Sequence, residues 1–388
     1  MTSSDSQPEP PEDVDVDASD SLPSELVPSQ PMGENAILPT AAGAKSKVDL
    51  PQPGVLLAAA LTTVPVISQI VIGALIIGVP LLFLILTGRP DQLVQFGEKL
   101  QVFLFPVGAS VTLLVAIAVC WLFFGRNMRR KVAWRGVSIG QLICVLALTL
   151  PLAVLASEVT NCVDHLLRQF QVDWLSEFHE QNADMFLGFV SQPWWFVFVS
   201  ACLLPGLGEE IYCRGLLSHG LIARCGVVGG TLLAAAMFGA MHIEPVQAIG
   251  AFTLGIALQF VFLATRSITA PIVLHTLHNS LAFLAMKFAD TFTVPGLTPT
   301  ADGGVSHTPL AVLVMAALTA TVVMAIMFQN RTRWRLPDGT DWSPGYVTAE
   351  IPDASFGAIA ARETPSRMLV MGALVAFGLL IAMISYCG

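Results

Sequence analysis

Glu209 and Glu210 stand side by side in LLPGLGEEIYCRGLL, a stretch apolar enough to lie in a membrane, and Arg214 follows the second by four residues. A carboxylate in hydrocarbon is costly and two adjacent ones demand compensation, so an intramembrane acid pair marks a functional site by default. Glu210 and Arg214, spaced i and i+4, share a helix face and can form an ion pair, whereas Glu209 points roughly 100° away, toward a different partner. Two carboxylates this close can hold one proton between them, which suits general acid–base chemistry. His242 follows Phe238 by four residues in FGAMH. In APIVLHTLHNS, His275 and Asn279 are four apart, with His278 close to the same face. An asparagine amide and an imidazole can both donate to a developing oxyanion. Taken singly, each group has a plainer reading: an ion pair that fixes packing, a satisfied interior histidine, or polar residues that hydrogen-bond helices together. Phe238 reads as an apolar wall, and Cys213, inside the glutamate motif, as a small packing residue.

Such side chains need helices to hold them at a common depth. The chain of 388 residues is 54% hydrophobic and only 12% charged, against about 25% charged in soluble domains. Its mean hydropathy is +0.70. These values predict an integral membrane protein. About 20 apolar residues cross a bilayer as a helix, and on that measure about nine spans are expected: 57–87, 101–124, 138–157, 194–217, 227–243, 246–264, 268–288, 308–328 and 368–386. The fold class predicted is therefore all-α, a polytopic transmembrane bundle. The first span is long and contains Pro65 and Pro80, so a tilt or kink is expected. The Glu244-Pro245 turn makes the fifth and sixth spans an antiparallel hairpin. Residues 159–193 mix Leu166, Leu167, Phe170, Trp174, Leu175 and Phe178 with acids and amides, the pattern of an interfacial amphipathic helix. Residues 337–366 read as a long loop.

The net charge of −9 does not describe this membrane body. Residues 1–50 hold ten acids against Lys45 and Lys47, eight of the nine negative charges. Rich in Pro, Ser, Asp and Glu, this tail is expected to be disordered, and it lacks the basic start of a signal peptide. Nothing in the remaining, nearly neutral chain supports nucleic-acid binding. Seven scattered cysteines without a CxxC pair indicate neither a disulfide framework nor a cysteine zinc site. Arg126, Arg129, Arg130, Lys131 and Arg135, with Arg331, Arg333 and Arg335, fall on one side of the bundle. This predicts a cytoplasmic amino terminus and an external carboxy terminus, with a bacterial cytoplasmic membrane as the expected location. The run RNMRRK also has the chemistry of an anionic-lipid site, although topology already accounts for it. Four regions follow: the tail 1–50, membrane helices and an outer loop 51–193, a core 194–288, and C-terminal helices with a cytoplasmic loop 289–388.

The three motifs together, Glu209-Glu210-x-x-x-Arg214, Phe238-x-x-x-His242 and His275-x-x-x-Asn279, resemble those of the CAAX-prenyl-endopeptidase and bacteriocin-processing family (CPBP, or Abi) of intramembrane proteases. The resemblance covers about 194–288. It implies a CAAX-protease-like helical core whose site lies within the membrane, opens toward the cytoplasmic side and hydrolyses a peptide bond of a membrane-associated protein or peptide. By that likeness Glu209 and His242 activate a water, His275 and Asn279 stabilise the oxyanion, and Glu210, Arg214, Phe238 and His278 support them. The chain has no HExxH, yet Glu209, His242 and His275 have the donor types of a zinc site with an open position. The readings from other classes are a proton- or ion-coupled transporter and a non-catalytic membrane scaffold. Pro205, Gly206 and Gly208 would unwind the helix before Glu209 in the transporter.

Overall fold

A computed structural model describes residues 49–89, 92–289, 291, 293–298 and 307–387, with 93–101 described by backbone alone. All of the acidic tail before residue 49, expected to be disordered, lies outside the described residues. The chain from residue 48 onward forms one compact unit, built almost wholly of helices. These are α1 (Val55–Leu86), α2 (Leu93–Phe124), the short α3 (Met128–Lys131), α4 (Ile139–Gln169), α5 (Asp173–Val190), the short α6 (Trp194–Val197), α7 (Leu204–Tyr212), α8 (Ser218–Ala240), α9 (Pro245–Thr265), α10 (Thr269–Lys287), α11 (Leu310–Gln329) and α12 (Arg367–Cys387).

Among the described residues, seven helical stretches are long and apolar enough to cross a membrane. One of them, Trp194–Ala240, runs for 47 residues and covers two of the predicted spans. It is broken at Gly226, whose φ of 72° and ψ of 179° suit a residue without a Cβ. Helix α10 covers the predicted span 268–288 and is less apolar because it carries His275, His278 and Asn279. The seven stretches and α10 thus account for the nine predicted spans. Leu56, Ile70, Leu75, Leu82 and Phe83 of α1, and Met368, Met371 and Leu374 of α12, are all exposed. Apolar area on this scale is unfavourable in water and at home against acyl chains. Burial runs the other way toward the centre, where Leu148, Leu258, Phe262 and Leu274 join a core spanning α4, α9 and α10. Over its most apolar 18 residues α9 is 61% buried and α1 is 0% buried, which puts α9 inside the bundle and α1 on its rim.

Two extramembrane elements refine the sequence reading. The amphipathic segment expected within 159–193 is divided between the end of α4 and α5, whose Phe189 and Val190 are buried. The long loop 337–366 carries a small antiparallel pairing of Arg333–Arg335 with Ile359–Ala361. It is fastened by the basic run: Lys131 Nζ meets Glu350 Oε2 at 2.7 Å, and the Arg130 carbonyl accepts the Ile351 N–H at 3.1 Å. Arg135 donates to the carbonyls of Arg266 and Thr265 and lies over the Trp334 ring. Arg130 Nη1 also lies 3.5 Å from Asp353 Oδ2, so three cations of this stretch hold protein to protein.

Candidate active site

The acid pair sits on α7, a nine-residue helix between two π-helical turns, Phe198–Leu203 and Cys213–Leu217. Wide turns of this kind are rare and concentrate at functional sites. Gly206 and Gly208 remain helical, so the unwinding suggested by their sequence does not occur. They serve close approach instead. A Cβ on Gly208 would lie 2.9 Å from the Leu113 backbone nitrogen of α2, and one on Gly206 would lie 2.5 Å from Thr276 Oγ1 of α10. Small residues let membrane helices touch backbone to backbone, and here that contact sets the depth of the acid pair.

Glu210 is fully buried and Arg214 nearly so. Arg214 Nη1 donates to Glu210 Oε1 at 2.7 Å, and Nη2 donates to the Gly255 carbonyl of α9 at 3.0 Å. The guanidinium carbon lies 4.4 Å from the Phe238 ring centroid, a cation–π contact strengthened by the absence of water. His275 Nδ1 is 2.9 Å from the same Glu210 oxygen. Four helical segments are thus tied through one carboxylate and its guanidinium. The His275 ring stands edge-on to Phe238 at 5.7 Å and 89°, and His242 does the same at 5.3 Å and 79°. Phe238 is the wall the sequence suggested, and it touches three of the motif side chains at once.

With Nδ1 engaged by Glu210, the other nitrogen of His275 turns to Glu209: Nε2 lies 3.9 Å from Glu209 Oε2. That distance is too long for a hydrogen bond, and Glu209 Oε2 is buried with no hydrogen-bond partner. His242 Nδ1 lies 3.1 Å from the Phe238 carbonyl. A carbonyl only accepts, so Nδ1 carries a proton, and in the neutral ring Nε2 keeps its lone pair. Asn279 Nδ2 donates to the Ala201 carbonyl in the first π-helical turn at 3.2 Å, leaving a second amide N–H. His278 Nδ1 is buried without a hydrogen-bond partner. The structure brings together Glu209, Glu210, Arg214, Phe238 and His275. It links His242 through Phe238, and it places Asn279 one turn beyond His275.

Donor types alone would permit zinc at Glu209, His242 and His275. As arranged, these three do not bring a ligand atom each within 4.8 Å of one another, so they do not form a ready cage.

The sequence motifs did not point to a polar contact beside His242. Glu244 caps α9 by accepting from the backbone N–H groups of Val246 at 2.8 Å and Gln247 at 2.5 Å. His179 Nδ1 of α5 lies 3.3 Å from Oε2, the oxygen that Gln247 also reaches. Burial raises the Glu244 carboxyl, but His179 and the two N–H groups outweigh it and hold it below the usual carboxylate range. The same carboxylate raises His179 against the effect of burial. A Glu before Pro-x-x-apolar is a readable cap signal; its histidine partner, 65 residues earlier, is not.

Residues 191–281 match the family described as type II CAAX prenyl endopeptidase Rce1-like, an extent that contains all three motifs. No curated protein and no solved structure matches the chain.

Proposed function

Residues 191–281 are similar to the Rce1-like type II CAAX prenyl endopeptidases, and from that premise we propose that this integral membrane protein cleaves a peptide bond of a membrane-associated protein or peptide by direct attack of water. The observation that carries the reading is the Glu209 Oε2 atom, buried, without a hydrogen-bond partner and 3.9 Å from His275 Nε2. One water at about 2.8 Å from each atom would bridge that gap. A buried carboxylate oxygen left bare is costly, so a polar guest is expected there.

In this reading Glu209 takes a proton from the water as its oxygen attacks the scissile carbonyl, with the free Nε2 of His242 orienting it. Asn279 supplies its second amide N–H to the oxyanion. His275, held at Nδ1 by Glu210, donates from Nε2 in its imidazolium form. Glu209 then passes its proton to the leaving amine, and the carboxylate is restored. Arg214 and Glu210 touch no reacting atom; they position His275. CAAX-type trimming of a carboxy terminus is the activity nearest to the family description.

Reconstituted protein is to be incubated with membrane-anchored peptides and the new termini read by mass spectrometry. Glu209→Gln is expected to lower cleavage by about 10²-fold or more while leaving the folded yield intact. Undiminished cleavage by that variant would falsify the assignment.

A further inference from the structure

Outside the Glu209 site, Glu158, Cys162 and His307 each bring a ligand atom within 4.8 Å of the others, the one such group among the described residues. Glu158 and Cys162 are one turn apart on α4, and His165 lies three residues beyond Cys162, so i, i+4 and i+7 put all three on one face. His307 arrives from the segment before α11. Its Nδ1 is 2.8 Å from Glu158 Oε1, and its ring lies 5.4 Å from that of His165. Cys162 Sγ donates to the same Glu158 oxygen at 3.5 Å. The other Glu158 oxygen accepts the Thr308 N–H at 2.7 Å. Two further bonds from this end of α4, Ser157 Oγ at 2.5 Å and Asn161 Nδ2 at 2.9 Å, reach the Gly296 carbonyl.

We propose that Glu158, Cys162 and His307 bind a divalent transition metal of the zinc class, with the fourth position left to water. One thiolate, one carboxylate and one imidazole form a mixed S/O/N set of the kind that suits tetrahedral Zn²⁺, and their two negative charges match the ion's two positive ones. Hard, oxygen-seeking Mg²⁺ and Ca²⁺ are disfavoured by the sulfur. The existing hydrogen bonds hold the donors together, and the metal takes the place of the protons between them. The Cys162 thiol proton is released to solvent, and the proton that His307 Nδ1 shares with Glu158 is given up through solvent, the ring keeping one N–H on Nε2 while Nδ1 ligates. Bound metal would join α4 to the chain entering α11. The site shares no residue with the Glu209 centre, so it stands or falls apart from the proposed hydrolysis.

Two measurements test it, neither of them an activity assay. First, chelator-treated wild-type protein in detergent is titrated with Co²⁺ alone. A thiolate-to-cobalt charge-transfer band is expected, and Cys162→Ser should abolish it. His307→Ala should weaken Zn²⁺ binding by at least about tenfold. A band that survives Cys162→Ser would place the metal elsewhere and overturn the proposal. Second, wild-type protein is alkylated with and without Zn²⁺, so the answer does not depend on a variant folding. Cys162, Cys225 and Cys387 are all exposed and free. Zinc should slow modification of Cys162 by at least about tenfold, since a ligated thiolate is withheld from the reagent, and leave the other two unchanged. Equal rates at Cys162 with and without zinc would reduce the cluster to a hydrogen-bonded anchor.

Discussion

Arg214 Nη1 and His275 Nδ1 converge on one oxygen of Glu210, so deleting the guanidinium leaves a fully buried carboxylate short of its main partner. Removing one member of a buried pair costs about 3–5 kcal/mol, because the other charge stays buried and uncompensated. Arg214→Ala should therefore melt well below wild type in detergent, whereas Glu209→Gln, at a side chain that is 17% exposed, should melt close to it. Equal melting of the two variants would show that the acids have no such division of labour. The spacing of Glu210 and Arg214 made their pairing legible in sequence, as periodicity alone puts i and i+4 together. Which carboxylate meets His275 was not legible. That depends on the rotation of α10 against α7, across the long stretch of chain between them.

Helix α7 touches α2 through bare backbone at Gly208, so adding a methyl group there must push the two helices apart. Gly208→Ala is expected to cost about 1–3 kcal/mol by overpacking. At Gly372 of α12 a Cβ would meet nothing within 4 Å, and Gly372→Ala there should be neutral or stabilising by about 0.4–1 kcal/mol. Thermal unfolding of the two variants distinguishes contact from propensity; a shared response would mean that the close approach is not structural. At the other end of the core, α5 is fastened to the His242-bearing turn by His179 and Glu244, with Asp164 and Arg168 of α4 also facing His179. His179 is raised on folding, so its contribution is full below the ordinary imidazole value and is lost as pH climbs through the raised one. Glu244 is depressed, so its contribution is full above the ordinary carboxylate value and is lost as pH falls through the lowered one. The latch should be tightest near about pH 5–6. Amide exchange of 173–190 should quicken from about pH 6 to about pH 8, beyond the intrinsic pH effect, in wild type but not in His179→Ala. An unchanged difference between the two proteins would remove the latch. Hydropathy made the helices themselves legible, and apolar periodicity revealed α5. The π-helical turns, and the strand pairing of Arg333–Arg335 with Ile359–Ala361, leave no comparable trace, because local composition does not encode them.

Across the whole molecule, the basic loops predict which ends face which compartment, and three exposed cysteines make that measurable without engineering. With the amino terminus inside, an impermeant maleimide applied to intact, chelator-treated cells should label Cys162 and Cys387, while Cys225 should react only after permeabilisation. Labelling of Cys225 from outside would invert the proposed topology. The family match and the burial gradient coincide: the matched segment 191–281 includes α9, the helix most withdrawn from the surface, whereas α1 and α12 form an apolar rim. The two widened turns on either side of the acid pair carry a consequence for how this chain tolerates change in length. Each already accommodates one residue more than a regular α-turn would, so a single-residue deletion in 198–203 or, past Arg214, in 215–217 can be absorbed by tightening the spiral locally. The acids between them would keep their bearing toward His275 while the flanking segments slip by one position.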